Sequence, residues 1–401
     1  MPNGAGFTLS QHAAHIHARK PTISTWGHLE SRFGTARPRK LLALDGGGIR
    51  GVLSLEILAE IERQIAAKTG VERLGDYFDY IAGTSTGAII AAGLSIGMSA
   101  AELLQFYRDA GAAMFEKAAL LHRLKNFYKD EPLARRLQVL FHDGKGGLAD
   151  LTTERMRCLL LVVTRNMSTD SPWPVSSNPH AKYNGLARAD CNLRIPLWQL
   201  VRASTAAPVF FPPEILNWDP HDPAKTFVFV DGGLTPYNNP AFLLFRMATQ
   251  PAYRLGWKTG ERDLLLVSVG TGAAAGVTGA TERGLLGNLQ GLPSELMYGI
   301  QVDQDINCRT FGRCAHGSEI DRELGDMVLP DVPPADGSRL FRYVRYNADL
   351  SQAGLDALGL ADITAAAVQQ MDAVGEIDHL ARIGRAVAER EVSIAHFGSF
   401  A

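Results

Sequence analysis

Residues 80–92 carry the sequence Tyr-Ile-Ala-Gly-Thr-Ser-Thr-Gly-Ala-Ile-Ile-Ala-Ala, the clearest indication of the fold. Its first three residues predict a short buried strand, and the small apolar residues from Ala88 onward predict a helix. Between them, Gly83–Gly87 has the pattern G-x-S-x-G, which holds a reactive serine when it lies between a strand and a helix. Ser85 would then occupy a strained turn close to the amides of the helix N-terminus. The alternative is a turn serine that only packs helix on strand.

A second strand–turn–helix unit precedes this one. Residues 41–44 form a short apolar run that ends at Asp45 and a glycine cluster, as expected for a strand buried on both faces. From Val52 to Ile65, apolar residues recur every three or four positions, which is the spacing of an amphipathic helix. Two such units in succession predict an α/β fold.

Further elements extend this α/β pattern along the chain. Apolar segments of strand length and helix-like stretches alternate, and no repeat of solenoid length is visible. A last strand is expected near Phe341–Tyr346, followed by two alanine-rich terminal helices. The other predicted strands lie at 158–164, 226–230 and 264–269, and the predicted helices at about 99–118, 131–141, 196–206 and 238–249.

The composition is that of an ordinary folded protein, with 46% hydrophobic and 20% charged residues in a chain of 401. The formal net charge is −2, so no overall field favours a nucleic acid polymer, and membrane contact would require a local patch. Four cysteines are too few for a disulfide framework. No stretch resembles a signal peptide, and none supplies the roughly 18 apolar residues of a transmembrane helix. We therefore expect a cytoplasmic protein.

No metal site is expected from the histidines and cysteines. Three histidines lie near the N terminus, and Cys308, Cys314 and His316 form a second group. Neither group has the paired spacing of a structural zinc site.

The turn of the first unit is Asp45-Gly46-Gly47-Gly48-Ile49-Arg50-Gly51. Consecutive glycines allow backbone amides to approach a ligand closely. One such ligand is the oxyanion of a tetrahedral acyl intermediate. Another is a pyrophosphate, because the same glycines match the dinucleotide-binding pattern G-x-G-x-x-G of oxidoreductases. That alternative requires an acidic residue at the end of the next strand, whereas Glu72 and Asp76 precede that strand.

Asp231 follows the predicted strand 226–230 and begins a D-G-G sequence. In a parallel sheet its carboxylate would emerge beside the serine turn. A partly desolvated carboxylate has a raised pKa and can accept the serine proton directly. Histidine is the more usual base, and chain order also allows a Ser-Asp-His triad with His316, His379 or His396. None of these three lies in a recognisable strand-end loop.

Taken together, the motifs resemble those of the patatin-like phospholipase family. The stretches Arg202–Pro208 and Ser268–Gly272 also look familial, and the similarity covers roughly residues 39–275. The three family patterns are D-G-G-G-[IV]-[RK]-G, here Asp45–Gly51, then G-T-S-[TA]-G, here Gly83–Gly87, and D-G-[GA], here Asp231–Gly233.

The resemblance implies a three-layer sandwich with a mostly parallel central sheet flanked by helices, followed by a largely helical C-terminal part. It also implies a phospholipase A-type serine acyl hydrolase that cleaves fatty-acyl esters through an acyl-enzyme, without histidine, metal or cofactor. The residues it assigns are Ser85 as nucleophile, Asp231 as base, and the amides of Gly46, Gly47 and Gly48 with the charge of Arg50 as the oxyanion hole.

We divide the chain into an N-terminal arm (1–37), a catalytic core (38–275) and a mostly helical extension packed on that core (276–401). The expected partner is a phospholipid or membrane surface, with peripheral association. Bacterial members of the resembled family include effectors switched on by cyclic nucleotide signals in antiphage defence. The resemblance is thus compatible with a small-molecule activator and a homo-oligomer.

The sequence is compatible with alternatives at two points. The segment 115–141 mixes apolar, aromatic and basic side chains, which suits an interfacial lid and equally suits a packed helical connection with a solvated basic side. A non-catalytic lipid-binding or scaffold protein also remains an alternative to an enzyme.

Overall fold

The structure is a computed structural model in two compact units, Met1–Thr35 and Ala36–Ala401. In the first unit, Glu30–Phe33 forms the short helix α1, and the rings of Trp26 and Phe33 pack with their centroids 4.9 Å apart. The sheet and the candidate site belong to the second unit. The described residues are 26–114, 131–208, 210–219, 221–274, 285–320, 325–326 and 338–401, of which 112–114 and 285–297 are described by their backbone alone.

Within the described residues, a nine-stranded sheet forms the centre of the second unit. The strands are β1 (Arg39–Leu44), β2 (Tyr80–Thr84), β3 (Leu159–Asn166), β4 (Ser171–Ser176), β5 (Glu214–Asn217), β6 (Thr226–Asp231), β7 (Leu264–Val269), β8 (Arg313–His316) and β9 (Arg342–Tyr346). Their order across the sheet is β5-β6-β3-β2-β1-β7-β9-β8, and β4 pairs with β3 beside this path.

Helices connect and cover these strands. Because residues 115–130 are outside the described residues, only the end of the segment 115–141 is seen, as a helix at 131–140. The helices are α2 (Gly51–Thr69), α3 (Leu74–Tyr77), α4 (Thr86–Ser95), α5 (Ala100–Met114), α6 (Glu131–Leu140), α7 (Leu197–Ser204), α8 (Ala241–Thr249), α9 (Leu285–Phe311), α10 (Gln352–Ala357), α11 (Ala365–Val368) and α12 (Ile377–Glu391).

The sheet is mostly parallel, as predicted. Strands β3, β2, β1, β7, β9 and β8 run in one direction, whereas β6 pairs antiparallel with β3 and with β5. The crossovers β1–α2–β2 and β2–α4–β3 move along the sheet one way, and β7–α9–β8 moves the other way. Since such crossovers are right-handed, α2 and α4 lie on one face and α9 on the other. The α/β prediction is therefore confirmed.

The centre of the sheet is also the centre of the core. Every residue of β2 and β7 is buried, and in β1 only Lys40 is partly exposed. These strands are apolar on both faces because helices cover both, which is why their sequences form continuous apolar runs without alternation. The first two strand–turn–helix units are found where the sequence predicts them, with Leu42 opposite Ile81 in the β1–β2 pair.

The C-terminal third contributes to the same sheet. The predicted strand near residue 341 is β9, which pairs in parallel with β7, and β8 pairs with β9 at the edge. Helix α12 packs along α2. The strands β4, β5 and β8 were not predicted, and the proposed boundary at residue 275 remains a prediction. Among the described residues, no helix is long and apolar enough to span a membrane.

Candidate active site

Ser85 lies at the turn between β2 and α4, with a backbone φ of 54° and ψ of −124°. A side chain that is not glycine rarely adopts such a positive φ, and an observed outlier of this kind is typical of functional sites. A Cβ atom at Gly83 would collide with the backbone of Gly87, and one at Gly87 would collide with the carbonyl oxygens of Leu44 and Asp45. The two glycines of the motif are therefore required by close backbone contacts.

Asp231 contacts the serine directly. The Ser85 hydroxyl donates a hydrogen bond of 2.6 Å to Asp231 Oδ2, and the Gly233 amide donates one of 2.7 Å to Asp231 Oδ1. The carboxylate is buried, with 5% of the residue exposed. Burial raises the pKa of Asp231 to about 6, although the bonds from Ser85 and Gly233 and the charge of Arg202 oppose the increase. The two residues predicted as nucleophile and base thus lie in hydrogen-bond contact.

The direction of β6 differs from the expectation that placed Asp231 near Ser85. We expected a parallel neighbour, but β6 is antiparallel to β3, with Asp231 opposite Thr164. Val163 lies opposite Thr84 in the β2–β3 pair, so this register brings the last residue of β6 to the level of the serine turn. Although β6 is antiparallel, its C-terminal residue Asp231 reaches the edge of the sheet where Ser85 lies, because β6 pairs with only the last three residues of β3.

The Gly46–Gly48 turn lies beside Ser85. The Gly46 amide donates to the carbonyl oxygen of Asn238 at 3.0 Å, and the Gly46 carbonyl accepts from Thr271 Oγ1 at 2.8 Å. Gly47 and Gly48 both line the pocket around Ser85. Within the described part of the chain, their amides donate to no other group. Gly48 has a φ of 62°, which favours glycine.

Arg50 stabilises this turn through hydrogen bonds from its guanidinium group. Its Nε donates to the Gly47 carbonyl at 3.3 Å, and its Nη1 donates to the Gly272 carbonyl at 3.4 Å. Burial lowers the pKa of Arg50 to about 10, and the charge of Asp45 opposes this change. The guanidinium therefore stays charged at neutral pH, but Arg50 is not among the residues that line the pocket.

A pocket of about 200 Å³, measured between described residues, surrounds the serine. Its polar lining residues include Ser85, Asp231 and Asp372, and most of the remaining wall is apolar. Two of the lining residues, Met371 and Asp372, come from the C-terminal third of the chain. The apolar lining residues are Ile89, Leu133, Ala207, Pro208, Phe210, Phe211, Leu234 and Met371. An extended apolar group attached to a reactive carbonyl suits such a pocket.

The three histidines considered for a triad lie elsewhere. His379, in the first turn of α12, contacts Glu376, the residue before that helix. The rings of His316 and His396 stack with their centroids 4.4 Å apart. None of these three lines the pocket of Ser85. The direct bond between Ser85 and Asp231 leaves no space for an intervening imidazole.

The dinucleotide alternative conflicts with the contacts of the glycine turn. The Ile49 amide donates to the Met371 carbonyl at 2.8 Å, and the same carbonyl faces the Cα of Gly48. The Met371 carbonyl therefore lies beside Gly48 and Ile49, where a pyrophosphate would approach the N-terminus of α2. In the described part of the chain, no group of three or more histidine, cysteine, aspartate or glutamate residues is arranged to hold a metal ion.

Several residues that shape the site were not predicted. Ser204, at the end of α7, accepts a 2.9 Å hydrogen bond from the Ser85 amide and donates one of 2.6 Å to the Val163 carbonyl. Asn238 and Thr271 hold Gly46, and Met371 covers Gly48. Ser204 and Thr271 lie in the stretches Arg202–Pro208 and Ser268–Gly272, which resemble the family, but that resemblance assigned no role to either residue.

Comparison with known proteins gives an independent result. Residues 42–245 match the family model described as patatin-like phospholipase. A "cGAMP-activated phospholipase" of Vibrio cholerae is 33% identical over 273 residues, covering 63% of this chain and 67% of the relative. A protein of the same name from Escherichia coli is 29% identical over 249 residues, covering 59% and 63%. "Patatin-like protein 1" of Arabidopsis thaliana is 30% identical and covers 58% of both chains.

The aligned part of this chain thus spans about two thirds of the Vibrio relative and less of the other two. Among solved structures, human GIVD cytosolic phospholipase A2 aligns with a TM-score of 0.40 and 12% identity, over 94% of this chain and 62% of the human one. The family match includes the glycine turn, Ser85 and Asp231, and it ends before β7.

Proposed function

Because the chain belongs to the patatin-like phospholipase family and is therefore a lipid acyl hydrolase, we propose that it cleaves fatty-acyl esters of phospholipids with Ser85 and Asp231. The observation that carries this proposal is the 2.6 Å hydrogen bond from the Ser85 hydroxyl to the buried Asp231 carboxylate. The apolar wall of the same pocket supports a fatty-acyl group as the part of the substrate that is bound there.

In the first step, the ionised Asp231 accepts the Ser85 proton while Ser85 Oγ bonds to the ester carbonyl carbon. The ester C–O bond then breaks, the proton on Asp231 passes to the leaving alkoxide, and an acyl-serine remains. In the second step, Asp231 accepts a proton from water, and the resulting hydroxide attacks the acyl carbon. The proton returns to Ser85 Oγ as the fatty acid leaves, so both residues end the cycle as they began.

We assign the oxyanion hole to the amides of Gly47 and Gly48. Both amides lack another acceptor in the described residues, whereas the Gly46 amide already donates to Asn238. An oxyanion donor is typically worth about 3–4 kcal/mol in the transition state. The resemblance assigns three amides to the oxyanion hole, and the structure supports the two of Gly47 and Gly48. Arg50 has a supporting role in this proposal, since it binds the Gly47 and Gly272 carbonyls.

The dyad is tested with a fluorophosphonate probe, which reacts with activated serines, and with hydrolysis of a phospholipid in mixed micelles. We expect Ser85→Ala to abolish both labelling and turnover. We expect Asp231→Asn to lower kcat at least about 100-fold, the usual contribution of a general base. His396→Ala is the matched control, and it should leave kcat unchanged because His396 does not line the pocket. Near-full activity of a folded Asp231→Asn variant would show that another group is the base.

We also propose control of this activity by a cyclic dinucleotide, together with self-association. Two of the similar proteins are named cGAMP-activated phospholipases, and this likeness is the support for the activator. A ligand can activate only if it binds the active conformation more tightly than the inactive one. Hydrolysis and sedimentation should therefore be measured with and without cGAMP. Equal rates and equal molecular mass in both conditions would argue against this regulation.

We also propose that helix α6 contacts the membrane surface. Helix α6 contributes Leu133 to the pocket wall and also carries Val139, which is 76% exposed, beside the exposed Arg136. An exposed apolar side chain next to a cation suits the headgroup region of a bilayer. Val139→Glu should weaken sedimentation with anionic vesicles while leaving hydrolysis of a soluble ester intact. Unchanged vesicle binding would exclude α6 as the contact.

A further inference from the structure

Arg345 connects the C-terminal third of the chain to the glycine turn. It lies on β9 opposite Ser268 of β7, and Ser268 lies opposite Ala43 of β1. Residues directly opposite each other in paired strands project from the same face of the sheet. The Arg345 side chain can therefore cross over β7, where its Nη1 donates to Ser268 Oγ at 2.6 Å, and reach the end of β1.

At the end of β1 the guanidinium binds Asp45 through two parallel hydrogen bonds. Arg345 Nη1 donates to Asp45 Oδ1 at 3.0 Å, and Nη2 donates to Oδ2 at 2.6 Å. Both side chains are almost completely buried, with 5% and 0% of their surface exposed. A bidentate contact of this kind fixes the orientation of the carboxylate as well as its position. Asp45 is the residue immediately before Gly46–Gly48.

The other contacts of the turn act on its backbone at Gly46 and at Ile49. Thr271 and Asn238 hold Gly46, and Met371 accepts from Ile49. The strand end from which the turn departs is restrained by the Asp45 side chain and by the ladder bond of the Asp45 amide to the Val269 carbonyl at 3.1 Å. A change in the Asp45 side chain should therefore alter the direction in which the next residues, with the Gly47 and Gly48 amides, leave β1.

We propose that Arg345 is a positioning residue for the reaction, which fixes the Gly47 and Gly48 amides by holding Asp45 in a two-point contact. This inference rests on the proposed function, since it requires those amides to bind the oxyanion. It also assigns a part in the reaction to β9, which lies outside the segment that matches the family model.

Arg345→Lys is the decisive variant, because a lysine keeps the positive charge but cannot reproduce the planar two-point contact. We expect KM for a soluble ester to stay within about twofold. We expect kcat to fall by about 10- to 100-fold, since a displacement of about 1 Å in a catalytic group can cost 100-fold. The variant Arg345→Met/Asp45→Asn removes both charges of the pair together, so that neither partner is left charged without the other, and it should show the same loss of kcat.

A fluorophosphonate titration separates positioning from misfolding. In a variant that only unfolds, the fraction of labelled protein falls while kcat per labelled site stays at the wild-type value. We expect the opposite, namely complete labelling at a reduced rate and a reduced kcat per site. Arg39→Gln is the matched control, because Arg39 is as buried as Arg345 and pairs with Asp79 at the starts of β1 and β2, the opposite edge of the sheet from the turn.

The outcomes distinguish this inference from the proposed function. If wild-type protein labels at Ser85 but both Arg345 variants keep wild-type kcat per labelled site, the positioning role is wrong and the dyad stands. If wild-type protein does not label, or Ser85→Ala keeps full activity, the proposed function itself is wrong. A kcat loss in Arg39→Gln equal to that in Arg345→Lys would also overturn the positioning role, because it would show a general effect of losing a buried ion pair.

Discussion

Asp231 has to meet two opposing requirements at the scale of one residue. A general base must be ionised at the working pH, yet it must also be basic enough to attract a serine proton. Burial provides the basicity by raising the pKa to about 6, while the hydrogen bonds from Ser85 and the Gly233 amide favour the ionised form. At neutral pH the carboxylate is thus mostly ionised and more basic than an exposed aspartate.

This environment predicts a pH dependence of catalysis. Asp231 accepts a proton only when ionised, so kcat/KM should fall as the pH decreases through about 6 and level off above about 7. Below the pKa the decrease should approach tenfold per pH unit. The measurement is the rate of hydrolysis of a neutral soluble ester between pH 4.5 and 8.5, at constant ionic strength.

The residual activity of Asp231→Asn provides the control for this pH profile, because it should lack the acidic limb. An apparent pKa near 4 in the wild-type protein would contradict the burial of the carboxylate, which is the cause of its raised pKa. An unchanged acidic limb in Asp231→Asn would assign the titration to a different group.

At the scale of the elements, the serine turn depends on a helix far away in sequence. Ser204 ends α7 and bridges the Ser85 amide to the Val163 carbonyl, so it joins the turn to β3. The positive φ of Ser85 is unfavourable for a serine and persists only where the surroundings restrain it. The Ser204 hydroxyl is one such restraint.

We therefore expect Ser204→Ala to lower both activity and stability. Loss of the hydroxyl leaves two buried backbone groups without their partner, which typically costs about 1–3 kcal/mol of the free energy of unfolding. We expect kcat to fall by about tenfold because Ser85 is less well held. Ser176→Ala is the matched control, since Ser176 accepts bonds from Tyr80 and the Asn178 amide away from the site. Equal effects of the two variants on kcat would show that Ser204 has no special role at the turn.

The elements that sequence patterns predicted are those specified by nearby residues. The β2–Ser85–α4 unit was predictable because an apolar strand, two glycines and a small-residue helix follow each other directly. The antiparallel direction of β6 was not, since it depends on pairing with β3, some 60 residues earlier. The role of Ser204 was equally hidden, because its contact with Ser85 spans 119 residues of sequence.

At the scale of the whole molecule, the C-terminal third carries no recognisable motif but completes the sheet and covers α2. Its strand β9 was predictable from a short stretch rich in aromatic residues, whereas the pairing of β8 and the position of α12 depend on long-range packing. Arg385 of α12 forms an ion pair with Glu56 of α2, and Tyr77 donates a hydrogen bond of 2.6 Å to the Phe400 carbonyl. These contacts make the C-terminal third part of the same folded unit as Ser85.

The contact between α12 and α2 can be tested at Gly384, where the two helices approach closely. A Cβ atom at this position would lie 2.7 Å from the Leu53 carbonyl oxygen and 2.8 Å from the Glu56 Cβ. Alanine favours a helix over glycine by about 1 kcal/mol, but overpacking against backbone typically costs about 1–3 kcal/mol. Since the Leu53 backbone cannot rotate away, we expect Gly384→Ala to lower the free energy of unfolding by about 1–2 kcal/mol.

The measurement is the urea midpoint of the full chain, with Gly375→Ala as the matched control. A methyl group added at Gly375 would meet no heavy atom of the described residues within 4 Å, and the φ of Gly375 is not positive, so stability should stay unchanged or rise slightly. If α12 were only loosely attached, it would move away from α2 and Gly384→Ala would behave like Gly375→Ala. A loss of stability specific to Gly384, with Ser85 unfolding in the same transition, would establish that the C-terminal helix and the catalytic sheet unfold together.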